Sequence, residues 1–349
     1  MPDYGHPLRF ATFISPANSP AHRPVELAQL SERLGFDFVT FQDQPYEADF
    51  LDTWTLLSWV AARTERIGLS GNVLNLPLRQ PPAVLARATA SLDLLSGGRT
   101  SLGLGAGFFW DAVQAIGGRR LTPMQGVTAL GGAIDVIRGI WDADGPGTLN
   151  VEGEFYKVRG AERGPAPAHS TPIWLGAHKP KMQDLVGRKA DGWLPSLPGM
   201  EPGGLPKGNA IIDDAARAAG RDPRDITRLL NIFPGQQTAE ALAQMTLEDG
   251  VSIFILASDD PDYFNASPPK RSLPYAITSP AGVNNARGSR TCGQRSWCNP
   301  SRRPNHLSRP TQTRRRNTHH DHHQHHRLGQ HGHRHRHPSG PARSHHRGN

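Results

Sequence analysis

The sequence predicts an α/β protein, a (β/α)8 TIM barrel, and three observations carry that prediction. Strand-length apolar runs alternate with longer helical patterns, which signals a parallel sheet with crossover helices. Eight strand positions are separated by seven helical ones, a count that suits a closed barrel better than an open sheet. The 349 residues suffice to bury a core without disulfides, and only 2 are cysteine.

The elements follow in order. Leu8 to Ile14 reads as a first strand, Val25 to Leu34 as a helix closed by Gly35, and Phe38 to Gln42 as a second strand ending at Asp43. Thr53 to Arg63 has apolar residues at helical spacing, Ile67 to Leu74 is a third strand, and Pro82 to Leu95 a helix capped by Gly97-Gly98. A fourth strand, Thr100 to Leu104, runs into Gly105-Ala106-Gly107, and Met124 to Trp141 is a long helix. Residues 143–171 break the rhythm and read as an insertion, with a hairpin carrying Phe155-Tyr156 on one arm. The alternation resumes with strands at Ile173 to Leu175, Trp193 to Leu197, Thr227 to Phe233 and Val251 to Ala257. Helices at Lys181 to Ala190, Asn209 to Ala218 and Thr238 to Glu248 lie between them.

After Asp259-Asp260-Pro261 the chain turns to Asn265-Ala266-Ser267-Pro268-Pro269, poor in helix formers and rich in breakers. The expectation is a barrel over residues 1–262 that lacks a normal eighth helix. Composition changes at the same place. Residues 266–349 carry sixteen Lys and Arg against one acid, Asp321, a net +15, which leaves −7 on residues 1–265 of the +8 total. From Asn305 the tract is biased to His and Arg and cannot build a core, so residues 263–349 are expected to be a disordered basic tail. Metal chelation, nucleic-acid binding and no function at all are the three accounts of such a tail, the last fitting translation in another reading frame. No apolar run approaches the ~20 residues of a membrane span, and Met1 to Leu8 lacks the pattern of a secretory signal. A cytoplasmic protein with no membrane partner is expected, and no metal site is expected in the barrel.

Barrel ligands sit at the C-terminal ends of the strands. The positions there are Ser15, Asp43, Asn72-Val73, Gly105 to Gly107, Ala177 to Lys179, Pro195-Ser196 and Ser258, mostly small or polar. Taken alone they describe a mouth that admits a ligand close to its backbone.

Several of these runs also carry a resemblance. Phe41-Gln42-Asp43, Ser70-Gly71-Asn72-Val73-Leu74, and Leu95-Ser96-Gly97-Gly98-Arg99 leading to Gly103-Leu104-Gly105-Ala106-Gly107 resemble the bacterial-luciferase-like flavin-dependent oxidoreductases. So do Ile173-Trp174-Leu175-Gly176-Ala177 and Gly187-Arg188-Lys189-Ala190-Asp191-Gly192-Trp193. The resemblance covers roughly residues 8–260.

It implies a luciferase-like barrel that binds reduced FMN, or alternatively an 8-hydroxy-5-deazaflavin (coenzyme F420), at its mouth. It also implies a non-prolyl cis peptide on the third strand, a place that Asn72-Val73 fits. Gly105, Ala106 and Gly107 are then either tight packing or the approach of the cofactor ring. Ala177, His178 and Lys179 lie where backbone amides at a helix start would meet the cofactor phosphate, with exposed loop residues as the alternative reading of His178 and Lys179. Asp43 is either an active carboxylate or a helix cap.

Two departures bear on the chemistry. The position after Asp43 is often an acid-base histidine in this family, and here it is Gln44, which cannot shuttle a proton. Sugar-oxidising deazaflavin relatives carry a glutamate just after Gly107, where this chain has Phe108-Phe109-Trp110. The sugar reading weakens and an apolar pocket gains. The expected activity is a monooxygenase that uses reduced FMN and O2 on a small apolar substrate, supplied by a separate flavin reductase. A deazaflavin-dependent oxidoreductase is the alternative, and an impaired barrel that binds nucleic acid or metal through its tail is a third class. A homodimer is left open.

Overall fold

In the computed structural model of the chain, residues 4–235 and 238–266 are described. All of them belong to the first of two compact units, Met1–Ser289. The expected tail beyond Ala266 lies outside the described residues.

The first half runs β1 (Arg9–Ile14), α1 (Arg23–Arg33), β2 (Phe38–Phe41), α2 (Thr53–Ala61), β3 (Gly68–Gly71), β4 (Leu74–Asn75), α3 (Pro82–Ser96), β5 (Leu102–Gly105), α4 (Trp110–Ala115) and α5 (Pro123–Trp141). A hairpin of β6 (Leu149–Glu152) and β7 (Lys157–Ala161) follows. The second half runs β8 (Ile173–Leu175), α6 (Pro180–Lys189), β9 (Gly192–Trp193), α7 (Gly204–Ala218), β10 (Thr227–Ile232), α8 (Ala239–Asp249), β11 (Ile253–Ala257) and α9 (Pro261–Ala266).

Apart from the hairpin, the strands form one sheet in the order β3-β2-β1-β11-β10-β9-β8-β5-β4, every pair parallel. The end members β3 and β4 are two halves of the third strand, broken at Asn72-Val73, where the peptide is cis. Leu69 of β3 donates to the Arg99 carbonyl at 2.8 Å and accepts from Ser101 at 2.9 Å, so β3 also reaches the start of β5 and the ring closes. Eight strand positions thus make the barrel, as the alternation of the sequence requires.

Parallel barrel strands are buried on both faces, which is why they read as continuous apolar runs. In β11, Ile253 and Ile255 join a small interior cluster with Ala11, Trp174, Leu194 and Leu229, whereas Phe254 and Leu256 join the larger cluster between strands and helices. Local signals set the helix ends. Thr122 and Gln125 form a reciprocal capping box at the start of α5, and Gly97 closes α3 at φ 72°.

Four features differ from the sequence expectation. Phe155-Tyr156 lie in the turn of the hairpin rather than on an arm, because Gly153 donates to the Tyr156 carbonyl at 3.0 Å and closes the loop there. Helix α7 starts at Gly204, five residues before the expected Asn209; Pro206 sits in its first turn, where no backbone donor is needed. Helix α4 follows Phe109 where no element was expected. The chain also begins an eighth helical piece, α9, whose Phe264 is 1% exposed and meets the Phe36 ring edge to face at 6.0 Å. One aromatic anchor holds this short helix against α1 despite the breakers that follow. Replacing it should show in stability. Phe264→Ala is expected to cost about 3–5 kcal/mol in urea unfolding of the full chain, the usual range for emptying a buried aromatic site.

Candidate functional site at the C-terminal mouth of the barrel

The mouth is organised by a buried polar network. Asn72, at the break between β3 and β4, donates from Nδ2 to Asn231 Oδ1 of β10 at 2.7 Å, and Asn231 donates back to Asn72 Oδ1 at 3.1 Å. Asn231 also donates to Ser196 Oγ at 3.0 Å, and Asn72 to Thr40 Oγ1 of β2 at 3.2 Å. Both amides are buried, so each hydrogen bond replaces one lost to water and the pair sets where the broken strand lies.

Val73 forms the floor beside this network. A Cβ on Gly105 would come within 2.8 Å of Val73 Cγ2, and one on Gly176 within 3.1 Å. The two glycines leave the valine room and present bare backbone to whatever lies above them. Ala106 and Gly107 continue from β5 into the wall of a 790 Å³ cavity, which also includes Phe108, Phe109, Met124 and Met182. Lys179, the N-cap residue of α6, and Lys181 supply its unpaired charge among the described residues, since Arg120 on the same wall is bonded to Asp111.

The remaining expected site residues are placed as follows. Ala177 is buried and its carbonyl accepts from Trp193 Nε1 at 2.8 Å. The His178 ring sits between Ser196 and Gly199, and its Nε2 accepts from the Ser196 amide at 3.3 Å. Part of the residue is exposed, yet loss of water around the ring, together with Lys179, lowers its pKa, and Gly199 partly offsets this. A neutral ring agrees with an accepting Nε2. Gln44 is half-buried on the loop after β2, where its carbonyl accepts from Glu47 at 2.9 Å.

Asp43 has a full set of structural partners. Its carboxylate accepts from the Asn75 amide at 2.8 Å and from Arg79 Nε at 3.0 Å, and a second Arg79 nitrogen bonds its other oxygen. Arg79 also reaches Asp52 at 2.7 Å, and the two carboxylates push its pKa upward despite burial. Asp43 therefore ties the loop after β2 to the turn after β4 and caps no helix; Asp52 is the residue that caps α2.

Two residues that the strand-end rule passed over complete the mouth. The Tyr46 ring meets Phe109 at 6.1 Å. Burial, helped by Glu47 and Asp43, pushes its phenol up to about 12, against a small opposing effect of the Asn75 amide. Tyr46 is thus a hydrogen-bond donor across the neutral range. Asn75, nine-tenths buried beside it, leaves Oδ1 without a partner among the described residues. No group of three or more His, Cys, Asp or Glu among the described residues is placed to hold a metal ion.

The family model for luciferase-like monooxygenase matches residues 7–337. The chain belongs to that family. Among luciferase-like relatives, an F420-dependent glucose-6-phosphate dehydrogenase of Mycolicibacterium fortuitum is 31% identical over 217 residues, 60% of this chain and 63% of that one. Its counterpart in Nocardia farcinica is 32% identical over 235 residues, 63% and 66% of the two chains. The chain thus spans just under two thirds of the length of these curated relatives.

Solved structures show the same luciferase-like fold. An F420-dependent secondary alcohol dehydrogenase in complex with an F420-acetone adduct superposes with TM-score 0.64 at 19% identity, covering 74% of this chain and 96% of that one. A long-chain alkane monooxygenase gives 0.63 at 13% identity, covering 74% and 88%. The matched family is one of oxidoreductases. No helix among the described residues is long and apolar enough to cross a membrane.

The lowered pKa of His178 gives a signed prediction. The unfolded chain binds the additional proton as pH falls through the ordinary histidine range near ~6.5, so the native state is favoured above that range and loses this contribution below it. His178→Gln is expected to flatten the fall of the thermal midpoint between pH 7.5 and 5.5; histidines elsewhere act equally in both proteins.

Proposed function

We propose that the protein is a deazaflavin-dependent oxidoreductase that acts on a small, largely apolar organic molecule at the C-terminal mouth of the barrel. The floor of Val73 between Gly105 and Gly176 carries this reading, because it offers a planar ring bare backbone next to a polar network. The choice of deazaflavin over FMN leans on the names of the relatives, several of which are F420-dependent dehydrogenases.

A cofactor of this class fits the residues present. Val73 fills the space that the two glycines leave, so the floor carries no side chain from either, and Asn75 Oδ1 is a buried acceptor without a donor among the described residues. Asn72, Val73, Gly105, Ala106 and Gly107 would lie against the ring, and Ala177, His178 and Lys179 would face its phosphate. When bound, a deazaflavin supplies a two-electron hydride carrier.

The chain's own residues do the rest. Phe108 and Phe109, exposed on the cavity wall, offer an apolar substrate an aromatic surface. Asn72 and Asn231 hold the floor in place. Gln44 cannot move a proton, but Tyr46, kept protonated, can donate a hydrogen bond to an oxygen of the substrate.

Phe108 stands where a sugar-oxidising enzyme of this family would carry its glutamate, so we assign an apolar substrate rather than a sugar phosphate. The apolar cavity also favours a second reading, an FMN-dependent monooxygenase that would require O2 and a separate flavin reductase.

Absorbance and fluorescence titrations with coenzyme F420 and with reduced FMN separate the two. Tighter binding of F420 is expected; binding of FMN alone would replace the proposal with the second reading, and binding of neither would remove both. Gly105→Leu should weaken F420 binding at least about tenfold, a loss of ~1.4 kcal/mol. Tyr46→Phe should leave that affinity unchanged and lower turnover about a hundredfold, at the modest end of what a placed proton donor contributes.

A further inference from the structure

The opposite end of the barrel holds a second cavity, of 420 Å³, among the N-terminal ends of the strands. Its floor is aromatic: the rings of Phe38 and Trp174 meet edge to face at 5.3 Å across the barrel interior. Its wall includes three arginines, Arg9, Arg66 and Arg99. Arg9, at the start of β1, lies over the Phe38 ring at 5.8 Å, and Arg66 approaches from the residues before β3.

Among the described residues neither guanidinium has a carboxylate within ion-pair distance, whereas Arg79, Arg138, Arg163, Arg188 and Arg228 each have one. The Glu32 carboxylate feels the Arg66 charge only beyond ion-pair distance, and the backbone holds it in place. Glu32 Oε1 is taken by the backbone amides of Glu65, Arg66 and Ile67 at 2.9, 2.6 and 3.0 Å.

The other groups of the pit agree with this. Arg99 lines it but is committed to the carbonyls of Ser96, Ile67, Ala61 and Thr64. His169 is fixed by its Nδ1, 2.9 Å from the fully buried Asp93 carboxylate, which leaves Nε2 as its free edge. His6 Nε2 is buried with no partner among the described residues. Asp37 is the single acid among the described lining residues, and its Oδ2 accepts from the Phe10 amide at 2.8 Å. Two guanidiniums with no ion-pair partner among the described residues therefore face a concave, aromatic-floored site on a part of the chain, residues 1–265, whose net charge is −7. Guanidinium donors in a fixed fork match the oxygens of a phosphate, and the aromatic floor matches an apolar or planar body.

We propose that this pit binds a phosphate ester. Arg9 and Arg66 hold the phosphate, the Ser101 hydroxyl adds a donor, and the organic part rests on Phe38 and Trp174. The site is separate from the C-terminal mouth, and nothing in it depends on the cofactor proposed there.

Isothermal titration of the full chain at low ionic strength tests the assignment with phenyl phosphate and inorganic phosphate as probes. Phenyl phosphate should bind at least about tenfold more tightly than inorganic phosphate, about 1.4 kcal/mol. Arg66→Gln and Arg9→Gln should each weaken phenyl phosphate at least about tenfold. The cations of residues 266–349 are the same in all three proteins, so their contribution cancels in the comparison. Equal affinity for the two probes would overturn the ester assignment. Wild-type affinity for phenyl phosphate in both variants would overturn the site itself.

Discussion

Everything at the mouth depends on the reciprocal amide pair of Asn72 and Asn231, which joins positions 159 residues apart in the sequence. A strand broken in its middle would leave backbone and side-chain polar groups without partners in the barrel interior. The pair meets that need, and through Thr40 and Ser196 it connects the second, third, sixth and seventh strand positions. With the break held there, Val73 points into space that Gly105 and Gly176 leave open. The same physical logic explains Asp43 and Arg79: a buried carboxylate persists because a guanidinium and a backbone amide meet it, and the loop carrying Tyr46 is anchored as a result.

The two ends of the barrel are built from contrasting materials. The C-terminal mouth is aromatic and apolar with polar groups set into its floor and rim, a composition suited to orienting a small organic molecule beside a ring cofactor. The N-terminal pit is donor-rich over an aromatic floor. Between them the interior is filled by Trp174, Leu194, Leu229, Ile253 and Ile255, so the two cavities are separated by packed side chains rather than joined by a channel.

The fold was legible in the sequence because parallel strands and their helices leave local patterns: Ile253–Ala257, Pro82–Ser96 and Pro123–Trp141 sit within a few residues of where periodicity and caps place them. Part of the site was legible for a related reason. The strand-end rule and the family resemblance both select Asn72, Val73 and Gly105 to Gly107 as backbone-lined positions at the mouth. What could not be read was partnership. Nothing local marks Asn231 as the mate of Asn72, or Arg79 as the mate of Asp43, since each pair forms only when distant segments meet. Tyr46 looked like an ordinary loop residue until Phe109 and Asn75 were beside it. Phe264 was hidden by the breakers around it, although an aromatic there has the buried α1 side of the barrel to pack against.

The most direct measurement of the central claim is a crystal structure of the full chain with oxidised coenzyme F420. The account predicts the deazaflavin ring against Val73, Gly105 and Gly176, with the Asn72–Asn231 pair intact beneath it. A ring bound elsewhere on the barrel, with this floor covered by protein side chains, would contradict it.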